Sequence, residues 1–559
     1  MAIQSANPPS IRTIQAWKGL NQQTRRGSIG DDEDWWNENL FAIGPGSLRS
    51  CWGRSAPIYT APAGTTILRM GFGFIGSVTP QFQAPPPGRF GWMFLSNGTI
   101  DQVDLDTHTV TPIRATRPTS TTTPPAVWEP IAPQYWMSCK VWRPQFFGNV
   151  AGQVGGVLFG SPAGLFAWDG TTLSEPGNPS GGVTGDNAPD WLTDAAETTP
   201  EAPPFPMPDG LPGIYAMEVY NNRLWVAGKD VISYSAPSNG ADFSTTGGGG
   251  SMGYFGDRLV YTFQDLAQSA GYLYVFGDSS TDVISNVQLT GSGTATSPFS
   301  TAFNYSNLDP QVGHRFPRPV GRFGRHFIQA NGAGIFMTTG GDARPIGNKI
   351  TNIWLTLDTS QYLPTFATAT IFNFRIILLN GRFTDPFGVT RSLLLMWHGV
   401  EGQEFWSVAS QGLELTQIGY YEQDSIMSPY GTDGTSLYQL FAQPDSALIK
   451  RYSSKAFRGA DGTTDALTIK NFKRLYMELH DNVGQGVSFT GNYTCGGGGI
   501  PGGSEDIGFD LTAGARFDII PCPIQGGGIW GAIDLQSFSP DFTLERLHIA
   551  GEERTFFGA

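Results

Sequence analysis

Along most of this chain the apolar residues come in short runs rich in Val, Ile, Leu, Phe, Tyr and Trp, each run ended by Gly, Pro, Asn, Asp or Ser; this is the pattern of strands joined by turns. It is clearest over residues 222–235, where Leu224, Val226, Val231 and Tyr234 form two β-prone runs separated by Gly228, Lys229 and Asp230. That spacing predicts a hairpin. A Pro/Ser/Asn/Gly segment then leads to Phe243, and strand, polar turn, strand and loop in that order is the plan of a propeller blade.

The same unit recurs in altered form from Thr65 to about Phe441. Residues 90–105 predict a hairpin through Asn97 and Gly98, the strongest short turn signal, and 156–170 predict another. Residues 258–277 lead into 281–285, 321–339 precede 344–347, and 372–379, 392–397 and 436–441 complete the series. Units of roughly 40 to 60 residues holding several strands each are what a propeller requires, because a four-stranded blade cannot bury both faces alone. Long Pro/Gly/Thr inserts at 114–130 and 174–213 interrupt the units and belong on the surface as loops or docking elements.

The pattern changes near the C-terminus. Residues 470–480, 487–493 and 542–549 alternate apolar and polar side chains, the period of half-buried antiparallel strands, and predict a small β-sandwich. At the other end, Trp17, Trp35 and Trp36 mark an arm that orders by docking, on an assembly or on the C-terminal domain. The acidic run Asp31, Asp32, Glu33 and Asp34 could serve a metal or an acid/base pair, but it suits better the first turn of a short helix, where carboxylates meet the positive end of the dipole. The expected fold is all-β, an irregular β-propeller with an N-terminal arm and a C-terminal β-sandwich: arm 1–60, propeller with loop insertions 61–455, sandwich 456–559.

Composition supports the class: among 559 residues, 73 Gly, 40 Pro and only 15% charged residues describe many short strands rather than long amphipathic helices. The net charge of −14, scattered along the chain, argues against holding nucleic acid by clustered Lys and Arg, yet permits DNA to slide past. Four cysteines, Cys51, Cys139, Cys495 and Cys522, show no C-x-x-C spacing, so free thiols are expected, with a pairing of Cys495 and Cys522 left open. With neither a basic-then-apolar leader nor a long apolar run, a soluble chain without secretion signal or membrane insertion is expected.

Candidate chemistry is thin. The glycine runs 247–250 and 496–499 lack the Lys-Ser/Thr of a phosphate loop. The histidines at 108, 314, 326, 398, 480 and 548 form no H-x-x-x-H pair and suit hydrogen bonds in strands or turns better than a zinc site. Asp101, Asp104 and Asp106 resemble paired carboxylates for acid/base hydrolysis, but Asp104 and Asp106 lie beside a turn, where solvated Asp is common. No sialidase-type S-x-D-x-G-x-x-W repeat, no G-x-S-x-G elbow and no dinucleotide fingerprint occurs. The expectation is a protein that is not an enzyme, with no catalytic, metal or cofactor residues and no cofactor.

One resemblance gathers these motifs. Gly19-Leu20-Asn21, the acidic stretch, residues 44–49 (G-P-G-S-L-R) and 52–54 (W-G-R) stand in the order found at the start of β-propeller tail nozzle, or tail tubular, proteins of short-tailed bacteriophages. Residues 222–228 (N-R-L-W-V-A-G), 273–277 (L-Y-V-F-G), 282–284 (D-V-I), 334–336 (G-I-F) and 472–476 (F-K-R-L-Y) extend the resemblance across the chain. It implies a structural virion protein of the tail, made in the host cytoplasm and assembled as a homohexamer below the portal and adaptor ring proteins. Such a ring extends the DNA ejection channel, retains the packaged genome and docks tail fibres or receptor-binding proteins, while double-stranded DNA passes its lumen without specific binding. The rival expectation is a glycan-binding or glycan-cleaving propeller for host attachment.

Overall fold

Among the described residues, seven blade sheets follow one another along the chain in the computed structural model. The structure describes residues 10–75, 88–113, 138–142, 156–174, 216–253 and 263–554, apart from 31, 44–45, 97–98, 162–163, 169–172, 228–230, 238–242, 244, 246, 295–296, 298, 317, 400–403, 458–468 and 498–499. The two Pro/Gly/Thr inserts, apart from Ser174 itself, and the turn residues Asn97–Gly98 and 228–230 lie outside the described residues.

Each blade starts with its inner strand: Ile67–Ile75, Ser138–Trp142, Ala216–Tyr220, Phe263–Ser269, Gly321–Phe323, Thr365–Ile371 and Gln417–Gln423 in blades 1 to 7. Except between blades 4 and 5, neighbouring inner strands lie against each other around the circle, blade 7 returning to blade 1. Blades 4 and 5 meet through Ala267, Tyr274, Phe276, Val320 and Phe327. The 222–235 hairpin is blade 3, where Arg223–Ala227 pairs antiparallel with Val231–Tyr234 and Trp225 is fully buried.

The turn from first to second strand is built alike in several blades. Asn221 and Asn222 (φ 50° and 57°), Phe372 and Asn373 (48° and 69°), and Asp424 and Ser425 (50° and 67°) hold paired left-handed residues, the geometry that matches the right-handed twist of flanking strands. Phe372, read from sequence as the start of a strand, is therefore in the turn, and the strand is Phe374–Thr384.

The propeller closes with a segment from far upstream. Tyr59–Thr60 pairs with Ser436–Gln439 and supplies the fourth strand of blade 7. The Tyr59 hydroxyl donates to Asp101 Oδ2 of blade 1 at 2.6 Å, in the core. One strand of N-terminal sequence thus ties the last blade to the first.

The sandwich is woven from both ends of the chain. One sheet holds Leu40–Ile43, Ser47–Ser50, Phe542–Arg554, Ile469–Asp481 and Phe517–Gly528, with Ser10–Ile14 added along Phe542–Arg554. The other holds Trp36–Glu38, Lys450–Ser453, Trp530–Ser537, Val487–Gly497 and Ile500–Leu511. Alternation works as its sequence implies: Leu475, Met477 and Leu479 point into the shared core, and Tyr476 and Glu478 point out. The second sheet does not stop at the sandwich. Trp36–Glu38 pairs in parallel with Phe405–Ala409, the outer strand of blade 6, and antiparallel with Lys450–Ser453, so blade 6 and the sandwich form one nine-stranded sheet.

This corrects the reading of the acidic run as a helix start. Asp34 takes part in an isolated parallel bridge with Leu20, and the strand Trp36–Glu38 follows directly. Two waiting strand edges and a buried partner for Glu38 outweigh any local preference for a helical turn. Among the described residues the helical segments are Asn348–Ile350 and Thr351–Trp354, and none is long and apolar enough to cross a membrane.

Candidate functional site

Propeller geometry brings residues distant in sequence to one axis, and four polar side chains meet there from four blades. Glu218 comes from the inner strand of blade 3, Arg322 from blade 5, Thr368 from blade 6 and Tyr420 from blade 7. Each is a polar or hydroxyl residue inside the first strand of its blade, with apolar neighbours on either side in blades 3 and 6. The local sequence makes the strand, and the circle makes the cluster.

The Arg322 guanidinium pairs with Glu218 Oε2 across the axis, and Glu218 Oε1 accepts from the Val219 amide at 3.0 Å. The Thr368 hydroxyl donates to the Arg322 carbonyl, which fixes the strand that carries the guanidinium. Burial raises the Tyr420 hydroxyl above its ordinary range; Glu422 and Glu218 push the same way and Arg322 opposes them. The Glu218 side chain is 8% exposed and that of Arg322 34%, so solvent reaches the pair from the arginine side. Two further arginines, Arg69 of blade 1 and Arg318 just ahead of blade 5, are buried close enough to repel one another. Burial lowers both, Arg318 to about 9.

A guanidinium, a carboxylate and two hydroxyls lie together here, Thr368 buried and Arg322 the more exposed partner of the ion pair; such groups can donate to and accept from a polyhydroxylated ligand. Glycoside hydrolysis takes two carboxyl groups about 5 to 10 Å apart. Glu218 lies in the cluster, and Glu422, two residues along the strand from Tyr420, acts on the same hydroxyl.

The residues weighed in the sequence are placed elsewhere. Asp101 holds Tyr59 at the ring closure, Asp104 Oδ1 accepts from the Asp106 and Thr107 amides of a turn, and Asp106 pairs with Arg89. The acidic run is likewise divided. Asp32 meets Lys18, Glu33 meets Lys349, and Asp34 is buried and raised to about 8, chiefly by desolvation. Asp31 lies outside the described residues.

His314 bonds the Arg318 carbonyl, His398 meets Ser407, His326 meets Thr339, His548 meets Glu478, and His480 lies 3.7 Å from Glu545. His108 sits in a turn at φ 61°. Among the described residues no three His, Cys, Asp or Glu side chains come together as a metal site. Cys51, Cys495 and Cys522 are buried free thiols. The Gly248 carbonyl accepts from Arg223 at 2.6 Å, and Gly498 and Gly499 lie outside the described residues. Glu218, Arg322, Thr368 and Tyr420 were missed in the sequence; the signal that marks Glu218 is a lone charge inside the first, apolar strand of a repeat.

No family model and no curated protein matches the chain. Solved structures do. A glycoside hydrolase family 43 arabinoxylan arabinofuranohydrolase from Bacillus subtilis is 9% identical over 96% of this chain and 98% of its own, with a TM-score of 0.22. The Trypanosoma rangeli sialidase is 6% identical over 61% and 92%, at 0.20. A fructofuranosidase from Schwanniomyces occidentalis is 10% identical over 99% and 100%, at 0.21. These scores describe a likeness of all-β architecture and give no residue a role. These three neighbours are by name glycan-cleaving enzymes, against the expectation that the chain is not an enzyme, and that expectation is withdrawn; they give this chain no activity.

Proposed function

We propose that this chain is a glycan-binding propeller used in host attachment as part of the virion tail of a short-tailed phage. The observation that supports it is the axial cluster: Arg322, Glu218, Tyr420 and Thr368 come together from four blades, reached by solvent at Arg322, with donors and acceptors both present. The test is binding of purified host-surface polysaccharide by the full chain, with Arg322→Gln and Tyr420→Phe as variants and melting temperature as the fold control. Wild type should bind, and each variant should weaken binding about tenfold or more at unchanged melting temperature. Wild type that binds no host glycan, or variants that bind as well as wild type, would overturn the reading. Release of reducing sugar in the same assay would show that the site also cleaves.

A second reading, the tail nozzle, is favoured by a different observation. The nine-stranded sheet makes propeller and sandwich one stiff body, which suits a load-bearing ring. In this reading copies close head to tail in a sixfold ring below the portal and adaptor, fibres dock laterally, and DNA slides through a lumen that does not grip it. Native mass of the concentrated protein should be six times the chain mass of 60.3 kDa. A chain that stays monomeric even with its adaptor would sink this reading, as would tight, steeply salt-dependent binding of duplex DNA.

A further inference from the structure

Far from the propeller axis, the outer face of the sandwich carries a groove of about 480 Å³, within the range of ligand clefts. Its floor is the outward face of three neighbouring strands. Thr490 stands directly across from Gln536, and Ser488 directly across from Asp510. These four side chains are exposed, whereas Val487, Phe489 and Leu535 between them are buried, so the floor rests on packed core. At one end the floor meets Gln485, and at another a wall formed by Phe538.

Three features give this groove a chemistry. Phe538 is 52% exposed, a large aromatic face left in water. The loop that carries it is nonetheless held: Ser539 Oγ accepts from the Ser488 amide at 2.9 Å, and the Ser539 amide donates to Ser537 Oγ at 3.1 Å. The polar lining is also free to act, because no hydrogen bond or ion pair engages the side chains of Gln485, Thr490, Asp510 or Gln536 among the described residues.

A rigid aromatic plate beside unspent amide, hydroxyl and carboxylate groups fits a ligand with an apolar C–H face and a rim of hydroxyls. The amides offer donors and acceptors to vicinal hydroxyls, Asp510 offers two more acceptors, and the negative ring face attracts C–H edges. Asp510 is the one charge among these side chains, so an anionic ligand is repelled and a cation finds no second carboxylate. We propose that this groove is a binding site for neutral oligosaccharide. It is separate from the axial cluster and does not depend on it.

The experiment titrates the full chain by calorimetry with a panel of neutral gluco-, manno-, galacto- and xylo-oligosaccharides and, in parallel, their sulfated or uronic counterparts. At least one neutral member should bind. Phe538→Ala should weaken it about tenfold or more, and Gln536→Ala by a smaller factor, both at unchanged melting temperature because both side chains are exposed. Leu355→Ala, an exposed side chain outside the lining of the groove, should leave this binding intact. The proposal is overturned if no neutral member binds, if only the anionic ones do, or if Phe538→Ala binds like wild type. Binding lost only in Arg322→Gln would support the axial site and overturn this one; binding lost only in Phe538→Ala would do the reverse.

Discussion

If Tyr59–Thr60 closes the propeller, removing one oxygen atom should loosen blade 7. Tyr59 and Asp101 are 4% and 6% exposed, and the hydroxyl lies 2.6 Å from the carboxylate. Asp101 has no other donor among the described residues, so Tyr59→Phe leaves a buried carboxylate alone while keeping the ring that fills the space. A hydrogen bond to a charged group contributes about 1.5 to 3 kcal/mol, and stranding the acceptor adds its desolvation, so a loss of about 2 to 3 kcal/mol is expected. That is roughly a 30- to 150-fold increase in the equilibrium for detaching the closing strand. Hydrogen exchange reads it directly, because the amides of Ser436–Gln439, which pair with Tyr59–Thr60, should accelerate by that factor while those of blade 3 do not. Asp101→Asn keeps a neutral acceptor and should cost less, and Tyr59→Phe combined with Asp101→Asn should cost less than the sum. Unchanged exchange at Ser436–Gln439 in Tyr59→Phe would refute the closure argument.

Two pH effects run in opposite directions. Asp34, raised from 3.8 to about 8 by burial, keeps its proton in the fold and loses it on unfolding, so its contribution is complete below pH 3.8, is lost as pH rises to about 8, and is level above that. Asp34→Asn should flatten that part of a plot of melting temperature against pH, and an unchanged slope would count against it. His398, stacked on Phe405 and bonded to Ser407, is lowered by burial to about 3, so its contribution is present above pH 6.5 and is lost as pH falls toward 3, at about 1.4 kcal/mol per unit. His398→Gln should move the acid unfolding midpoint to lower pH; a midpoint that stays put would exclude His398 from acid unfolding. Glu38, fully buried, accepts from Arg391 at 2.6 and 2.8 Å and from Ser410 at 3.0 Å. Glu38→Gln breaks this pair and should cost about 3 to 5 kcal/mol, seen as faster exchange in Phe405–Ala409. An effect below about 1 kcal/mol would show that the arm docks without it.

What could be read from the sequence was what neighbouring residues decide. The strands at 223–227, 272–277, 469–481 and 542–554 declare themselves because period-two alternation and β-branched or aromatic runs are local signals. The paired turns at Asn221–Asn222 and Asp424–Ser425 were harder, since without Gly the left-handed pair is imposed by the strands on either side. Trp36–Glu38 was not legible at all. Its three residues become a strand because Phe405–Ala409 and Lys450–Ser453 leave a slot between them, formed by residues hundreds of positions away. The axial cluster is hidden for the same reason, because nothing near Glu218 announces Arg322. The groove on the sandwich is intermediate: Gln536 and Phe538 both stand exposed along and just past one strand, but their joining with Ser488 and Asp510 depends on register.

The sandwich ends in two long edge strands, and their chemistry limits how copies of this chain can meet. Phe517–Gly528 and Ile500–Leu511 each pair by backbone on one side only among the described residues, and the two run close beside each other, the Gln525 amide donating to Glu505 Oε2. An open strand of that length invites another strand to add to it. Here Pro521 and Pro523 remove two amide donors from the first, and Glu505, Asp506 and Asp510 charge the second. Those are the devices by which sheets refuse edge-to-edge pairing, so any contact between copies of this chain along these strands would have to use side-chain faces instead. Phe517 and Ile519, 46% and 48% exposed just ahead of the two prolines, give this edge an apolar face of that kind. The arm completes the logic: by filling the slot between blade 6 and the sandwich, Trp36–Glu38 covers two strand edges that would otherwise compete with those faces for a partner.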